Sequence, residues 1–226
     1  MNAPVIAVDG PSGSGKGTVS RLVAERLGWH WLDSGAMYRL VALAALRRDM
    51  DLDDVAALSG LAAGLDARFQ VDDAGNPVIL LDGAPVGAEL RTEQAGNAAS
   101  RVAAHRSVRD ALLERQRAFR QPPGLVADGR DMGTVVFTQA PLKVFLTASC
   151  EERAKRRYKQ LKEQGLSANL LALSEELAER DRRDAERSVA PLKPADDAVV
   201  LDSTHMDIES VLEQVLRLAR ERGLTD

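Results

Sequence analysis

The chain has 226 residues, enough to bury a full core as one domain with an insertion or as two lobes. Charged residues make up 28% of it and the net charge is −4, which argues against a nucleic-acid binder held by bulk electrostatics. The single Cys150 excludes an internal disulfide framework and a cysteine-based zinc site, and it fits a reducing compartment. The N-terminus runs straight into a strand pattern, so no signal peptide is expected. No apolar stretch approaches the length of a membrane span, and the expectation is a soluble, cytoplasmic protein.

The first predicted element is a short strand over 5–9, Val-Ile-Ala-Val-Asp, buried on both faces. Gly10, Pro11, Ser12, Gly13, Ser14, Gly15, Lys16, Gly17 and Thr18 follow, and then a helical pattern of Val19, Leu22, Val23 and Leu27. Strand, glycine loop, lysine and helix come in the order that a phosphate cradle requires. Glycines let the backbone curl so that successive N–H groups point at one anion, and the helix N-terminus adds its positive end. Lys16 can reach the outer phosphates as a point charge, and the Thr18 hydroxyl can hold Mg²⁺. The generic pattern puts Ser or Thr directly after the lysine; here Gly17 intervenes. That Gly-Lys-Gly-Thr ending resembles nucleoside monophosphate kinases more than GTPases or transport ATPases.

Gly28 reads as the stop of the first helix, and 29–32 (Trp-His-Trp-Leu) as a second parallel strand. Ser34 is placed to cap a helix running to about residue 48, with Arg39 in its second turn. Residues 53–65 read as helical. Then 68–71 and 78–82, separated by the turn-rich 73–77, read as a β-hairpin, followed by another turn at 83–87. Residues 66–90 are therefore taken as a small β insert. Two helices are expected at 92–102 and 107–120, stopped by Pro122-Pro123. Strands at 124–128, 142–148 and 198–202 and helices at 151–164, 167–187 and 208–223 complete the chain. Alternating strands and helices predict an α/β fold, a parallel sheet with right-handed crossovers and ligands at the carboxyl ends of its strands.

Two places carry charge where packing alone does not ask for it. On the helix over 167–187, Leu170, Leu173 and Leu177 form an inward stripe, which then continues as Arg180, Asp184 and Arg187. Either these form solvated ion pairs at a helix end, contributing about 0.3–0.5 kcal/mol each, or they line a polar pocket for an anion. The second place is Asp128-Gly-Arg-Asp131. Asp128 ends a buried strand, where a carboxylate can order water around Mg²⁺. A sharp turn would explain the Asp and Gly but not Arg130 and Asp131, which favours a pocket.

The segments GPSGSGKGT, DSGAMYR, NAASRVAAHRSVR, ADGRDMGTVVF, ERDRRDAERSVAPL and VVLDST together resemble bacterial-type cytidylate kinases, in the same order and at matching separations. The resemblance spans nearly the whole chain. It implies a P-loop kinase three-layer fold with core segments at 1–33, 122–150 and 169–226, a monophosphate-binding lobe at 34–121 that carries the β insert, and a short lid at 151–168. It implies transfer of the ATP γ-phosphoryl group to CMP or dCMP. Carried over motif by motif, the acceptor residues would be Ser34, Arg39, Ser100, Arg109, Arg130, Asp131, Arg180, Asp184 and Arg187, with Lys16, Arg130 and Arg187 catalytic. Thr18 would bind Mg²⁺, with Asp128 behind its water. Asp131 and Ser100 can accept from the cytosine amine while Arg109 donates to the ring acceptors. At least one arginine among Arg153, Arg156 and Arg157 is expected to reach the transferring phosphoryl group on lid closure. The partners implied are small nucleotides rather than nucleic acid polymers or membranes, and a monomer is expected. The Gly-Phe-Pro-Arg signature of adenylate kinases and the Asn-Lys-x-Asp signature of GTPases are both missing from the sequence.

Overall fold

The computed structural model describes residues 3–71, 77–163, 165 and 167–225. The predicted turn at 73–77 lies outside them except for Pro77, which is already the first residue of a strand. The chain forms two compact units, one from residues up to Asp33 together with those from Gln116 onward, the other from Ser34–Arg115.

The first unit is built on a five-stranded sheet. Its strands are β1 (Val5–Asp9), β2 (His30–Asp33), β6 (Leu125–Gly129), β7 (Leu142–Thr147) and β8 (Val199–Asp202), in the order β2-β6-β1-β7-β8. Every pairing is parallel. All five residues of β1 and of β6 are buried, which is why these segments read as unbroken apolar runs rather than as alternating ones. Helices α1 (Lys16–Leu27) and α8 (Ile208–Glu221) pack with the central strands. Val19 and Val23 of α1 and Val211, Leu212, Val215 and Leu216 of α8 join Ile6, Val8, Val126, Leu142 and Val144 in one core cluster. The α8 residues recur at the spacing of a single helical face, and Asp207 caps that helix by accepting from the Ser210 amide. Helices α6 (Cys150–Glu163) and α7 (Leu170–Glu186) pack against each other in the same unit. Cys150 is half-buried at the start of α6. Strand β2 begins one residue later than the sequence suggests, because its register with β6 pairs His30 with Leu125 and Asp33 with Asp128. The neighbouring Gly124 is required for close approach, since a Cβ there would lie 2.3 Å from the Trp29 ring.

The second unit holds α2 (Ser34–Arg47), α3 (Val55–Ala63), α4 (Glu93–Val102) and most of α5 (Arg106–Arg117). It also holds a three-stranded antiparallel sheet of β3 (Ala67–Val71), β4 (Pro77–Leu81) and β5 (Ala84–Pro85). The expected hairpin is therefore present, and the turn-rich segment after it contributes a third, two-residue strand. Asp54 and Thr92 cap α3 and α4 with their side chains. Arg115 ties α5 to the start of β3, donating to the carbonyls of Leu65 (2.7 Å) and Ala67 (3.3 Å). Among the described residues no helix is long and apolar enough to cross a membrane.

Candidate active site

The carboxyl end of β1 feeds the glycine loop, which turns at Ser12 and Gly13 before α1 begins at Lys16. Gly13 (φ 77°) and Gly15 (φ 89°) occupy the left-handed region, which bends the loop into a cradle that other residues would strain. At Gly10 the constraint is packing: a Cβ would sit 2.0 Å from the Leu146 carbonyl oxygen on β7. Gly10→Ala is accordingly expected to destabilise the protein by about 3 kcal/mol, read as a lowered denaturation midpoint.

The loop is braced from outside by cations. Arg153, almost fully buried, donates to the Ser12 carbonyl (3.0 Å), to Ala148 O (3.0 Å) and to the Asp181 carboxylate (2.5 Å). Arg156 donates to Ser14 O (3.5 Å), Ser203 O (2.6 Å) and Ser203 Oγ (3.2 Å), and pairs with Glu152. Ser203 Oγ itself lies 3.3 Å from Ser14 O. Lys16 reaches back to the Pro11 carbonyl at 3.2 Å. With these carbonyls turned to cations, the loop's N–H groups are left to face an anion. Arg153 and Arg156 are two of the three arginines expected at the transferring phosphate. In this structure both hold the loop, and Arg157 donates to Gln160 at 2.7 Å.

Lys16 is buried, and desolvation pushes its ammonium down to about 7 from the usual 10.5. The charge of Arg130 adds to that fall, Asp128 opposes it, Arg180 adds again and Asp33 opposes. Lys16, Asp33, Asp128, Arg130 and Arg180 thus share one electrostatic neighbourhood in the sheet unit. The stripe on α7 is resolved in part by geometry. Asp184 is 3% exposed and receives the Arg130 Nε at 2.8 Å, so this is a buried pair rather than a solvated helix end. Arg187 closes α7 and donates through Nε to the Ala190 carbonyl at 2.6 Å.

The register of β1 against β6 pairs Val8 with Asp128 and Asp9 with Gly129, so Asp9 and Asp128 point to opposite faces of the sheet. Asp128 is buried and receives the Trp31 indole N–H on Oδ2 at 3.0 Å. That oxygen also lies 4.0 Å from where a Cβ on Gly17 would be, which places the carboxylate beside the first turn of α1. Asp9, on the other face, accepts from the amides of Met132 and Gly133, both at 2.8 Å. Its carboxyl is pushed up to about 6, chiefly by burial, against the two amide bonds that lower it. Asp131 is 2% exposed and precedes a π-helical turn, Met132–Val136. Asp9 carries the same sequence signal as Asp128, an apolar strand, an aspartate and then glycine, which marks it too as a functional candidate.

In the second unit Ser34 is the first residue of α2 rather than its cap, because β2 runs directly into the helix. Ser34, Ser100 and Arg109 are all buried. Arg109 lies over the Tyr38 ring, 5.3 Å from its centroid, and donates to Ala103 O at 3.0 Å, which fixes its guanidinium. Arg39, half-buried, lies in the second turn of α2 as expected.

A family model described as cytidylate kinase matches residues 6–221. The chain belongs to the cytidylate kinase family. A cytidylate kinase of Pseudomonas paraeruginosa (strain DSM 24068 / PA7) is 60% identical over 226 residues, which cover 99% of both chains. One from Aeromonas hydrophila subsp. hydrophila is 60% identical over 97% of this chain and 95% of its own. One from Klebsiella pneumoniae (strain 342) is 57% identical over 98% of this chain and 97% of its own. The family match takes in the loop, the Asp128–Asp131 turn and the whole of α7, so every residue described above at the candidate site falls within it.

Proposed function

We propose that this member of the cytidylate kinase family phosphorylates CMP and dCMP with ATP, giving CDP or dCDP and ADP. An oxygen of the acceptor's phosphate attacks the γ-phosphorus, and the bond from that phosphorus to the β–γ bridging oxygen breaks. Such a transfer needs in-line positioning and neutralised charge more than a strong base. The observation that carries the reading is the cationic seat at the strand ends: a braced glycine loop, buried Lys16, and the Arg130–Asp184 pair close enough to press on that lysine's charge.

In this reading residues 10–18 hold the ATP phosphates and Lys16 holds the transferring group. Arg130, Arg187 and Arg39 bind the acceptor phosphate through charge-assisted bonds. Ser34, Arg180 and Asp184 meet the sugar or its junction with the phosphate. Asp131 and Ser100 accept from the cytosine amine, and Arg109 donates to the ring acceptors. Thr18 is the proposed ligand of Mg²⁺, with Asp128 accepting from its water. Hydroxyl and carboxylate oxygens are the donors a hard cation prefers. Among the described residues no cluster of three or more acidic, His or Cys side chains forms a cage, which suits an ion carried largely by nucleotide phosphates and water. When bound, Mg²⁺ supplies charge neutralisation at the phosphates. Cytoplasmic residence, a monomeric state and a lid over 151–168 belong to the same proposal.

A coupled ADP-release assay with ATP across CMP, dCMP, UMP, AMP, GMP and shikimate tests it. CMP and dCMP should be the best acceptors; equal or better turnover of any other would overturn the assignment.

A further inference from the structure

Asp9 has no part in the chemistry assigned so far, yet it is almost fully buried and both its oxygens are occupied. Oδ1 accepts from Met132 N and Oδ2 from Gly133 N, each at 2.8 Å, across more than 120 residues of chain. Those amides open the π-helical turn, at the end where backbone donors lack partners within the helix. An aspartate in the capping position ordinarily bends its own carboxylate back to such amides. Asp131 holds that position and does not; its carbonyl instead accepts from Val135 N (2.9 Å) and Val136 N (3.2 Å). The cap comes from β1.

We propose that Asp9 is a positioning residue for the acceptor nucleotide: by capping the π-helical turn from the neighbouring strand, it fixes residues 130–133 and with them Asp131, the proposed base contact. The proposal deepens, and rests on, the reading of Asp131 as a base contact. Because Asp9 directly precedes Gly10, one rigid strand end carries both the phosphate loop and the turn that selects the acceptor. The strand is held between β6 and β7, so the two features keep a common reference.

Asp9→Asn tests this. It keeps the shape but turns one acceptor oxygen into a donor that faces an amide N–H. Hydrogen exchange of the ligand-free protein should show the amides of Met132 and Gly133 losing protection by about tenfold. In steady-state assays KM for CMP should rise by about tenfold with KM for ATP within about twofold, and the preference for CMP over UMP should narrow. Asp9→Ser, with one oxygen and no charge, should move the same quantities in the same direction and serves if the first variant does not fold. Unchanged exchange, normal CMP kinetics in a variant whose turn has lost protection, or a parallel rise of both KM values would overturn the role. Failure of the wild-type protein to turn over CMP would sink the substrate reading instead, and the exchange measurement would still report whether Asp9 holds the turn.

Discussion

Lys16→Met is expected to lower kcat by about 10³-fold while leaving the nucleotide-free protein more stable at neutral pH. The two effects have one origin. Lys16 is buried beside Arg130 and Arg180, so its ammonium is held at about 7, against an ordinary value of 10.5. Between those two values the folded state binds fewer protons than the unfolded chain. Stability therefore rises with pH across that window and is lowest below it, by a few kcal/mol. Methionine fills the same space without the charge and removes that cost. It also removes the group proposed to meet the transferring phosphoryl; of its cationic neighbours, Arg130 is paired with Asp184 and Arg153 is held on loop carbonyls. An ATP polyanion restores the ammonium, so binding at about pH 8 should take up a proton in the wild type and not in the variant. Calorimetry in two buffers of different ionisation enthalpy reads the uptake, and the melting temperature reads the stability. A variant that loses activity and stability together would show that Lys16 mainly supports the fold.

Asp131→Ala is expected to cut kcat/KM for CMP by about 10²-fold and to leave UMP within a few-fold, so that the preference for CMP collapses. Cytosine presents an amine at N4 where uracil presents an oxygen. A buried carboxylate rewards the first and repels the second, and the discrimination is large because neither partner can turn to water. Asp131 is 2% exposed, and Asp9 rather than Asp131 supplies the cap of the turn that follows. If CMP and UMP decline by the same factor, Asp131 acts on the shape of the site and not on the base.

Much of this was legible because the signals are local. Four apolar residues ending in an aspartate, followed by glycines, a lysine and a helical period, predict β1, the loop and α1. Asp128 could be read in the same way. Leu173 and Leu177 do face inward on α7, and the continuation of their stripe as Asp184 is buried as a pocket residue would be, but Leu170, expected on the same inward stripe, is 40% exposed at the first residue of the helix. What stayed hidden depends on partners far away in the chain. The amides of Met132 and Gly133 gain their acceptor from Asp9, and nothing near residue 132 announces a π-helical turn. Arg153 and Arg156 are among five basic residues within 153–159, a stretch the sequence assigns to a lid. Only the packing of α6 against the loop turns them to Ser12 and Ser14. Pairing also decides edges: β2 ends at Asp33 because it is in register with β6, and α2 starts there at once, leaving Ser34 no room to be a cap.

The bond from Trp31 to Asp128 has an optical consequence. The chain has two tryptophans, Trp31 on β2 and Trp29 immediately before the strand, with His30 between them. Trp29 rests against Gly124, whereas the Trp31 indole N–H donates to the Asp128 carboxylate beside the first turn of α1. Indole emission responds to the charge and hydration of its hydrogen-bond acceptor. Trp31 is therefore an intrinsic fluorophore tied to the proposed nucleotide seat, and ATP titrations of the unlabelled protein are expected to change its emission.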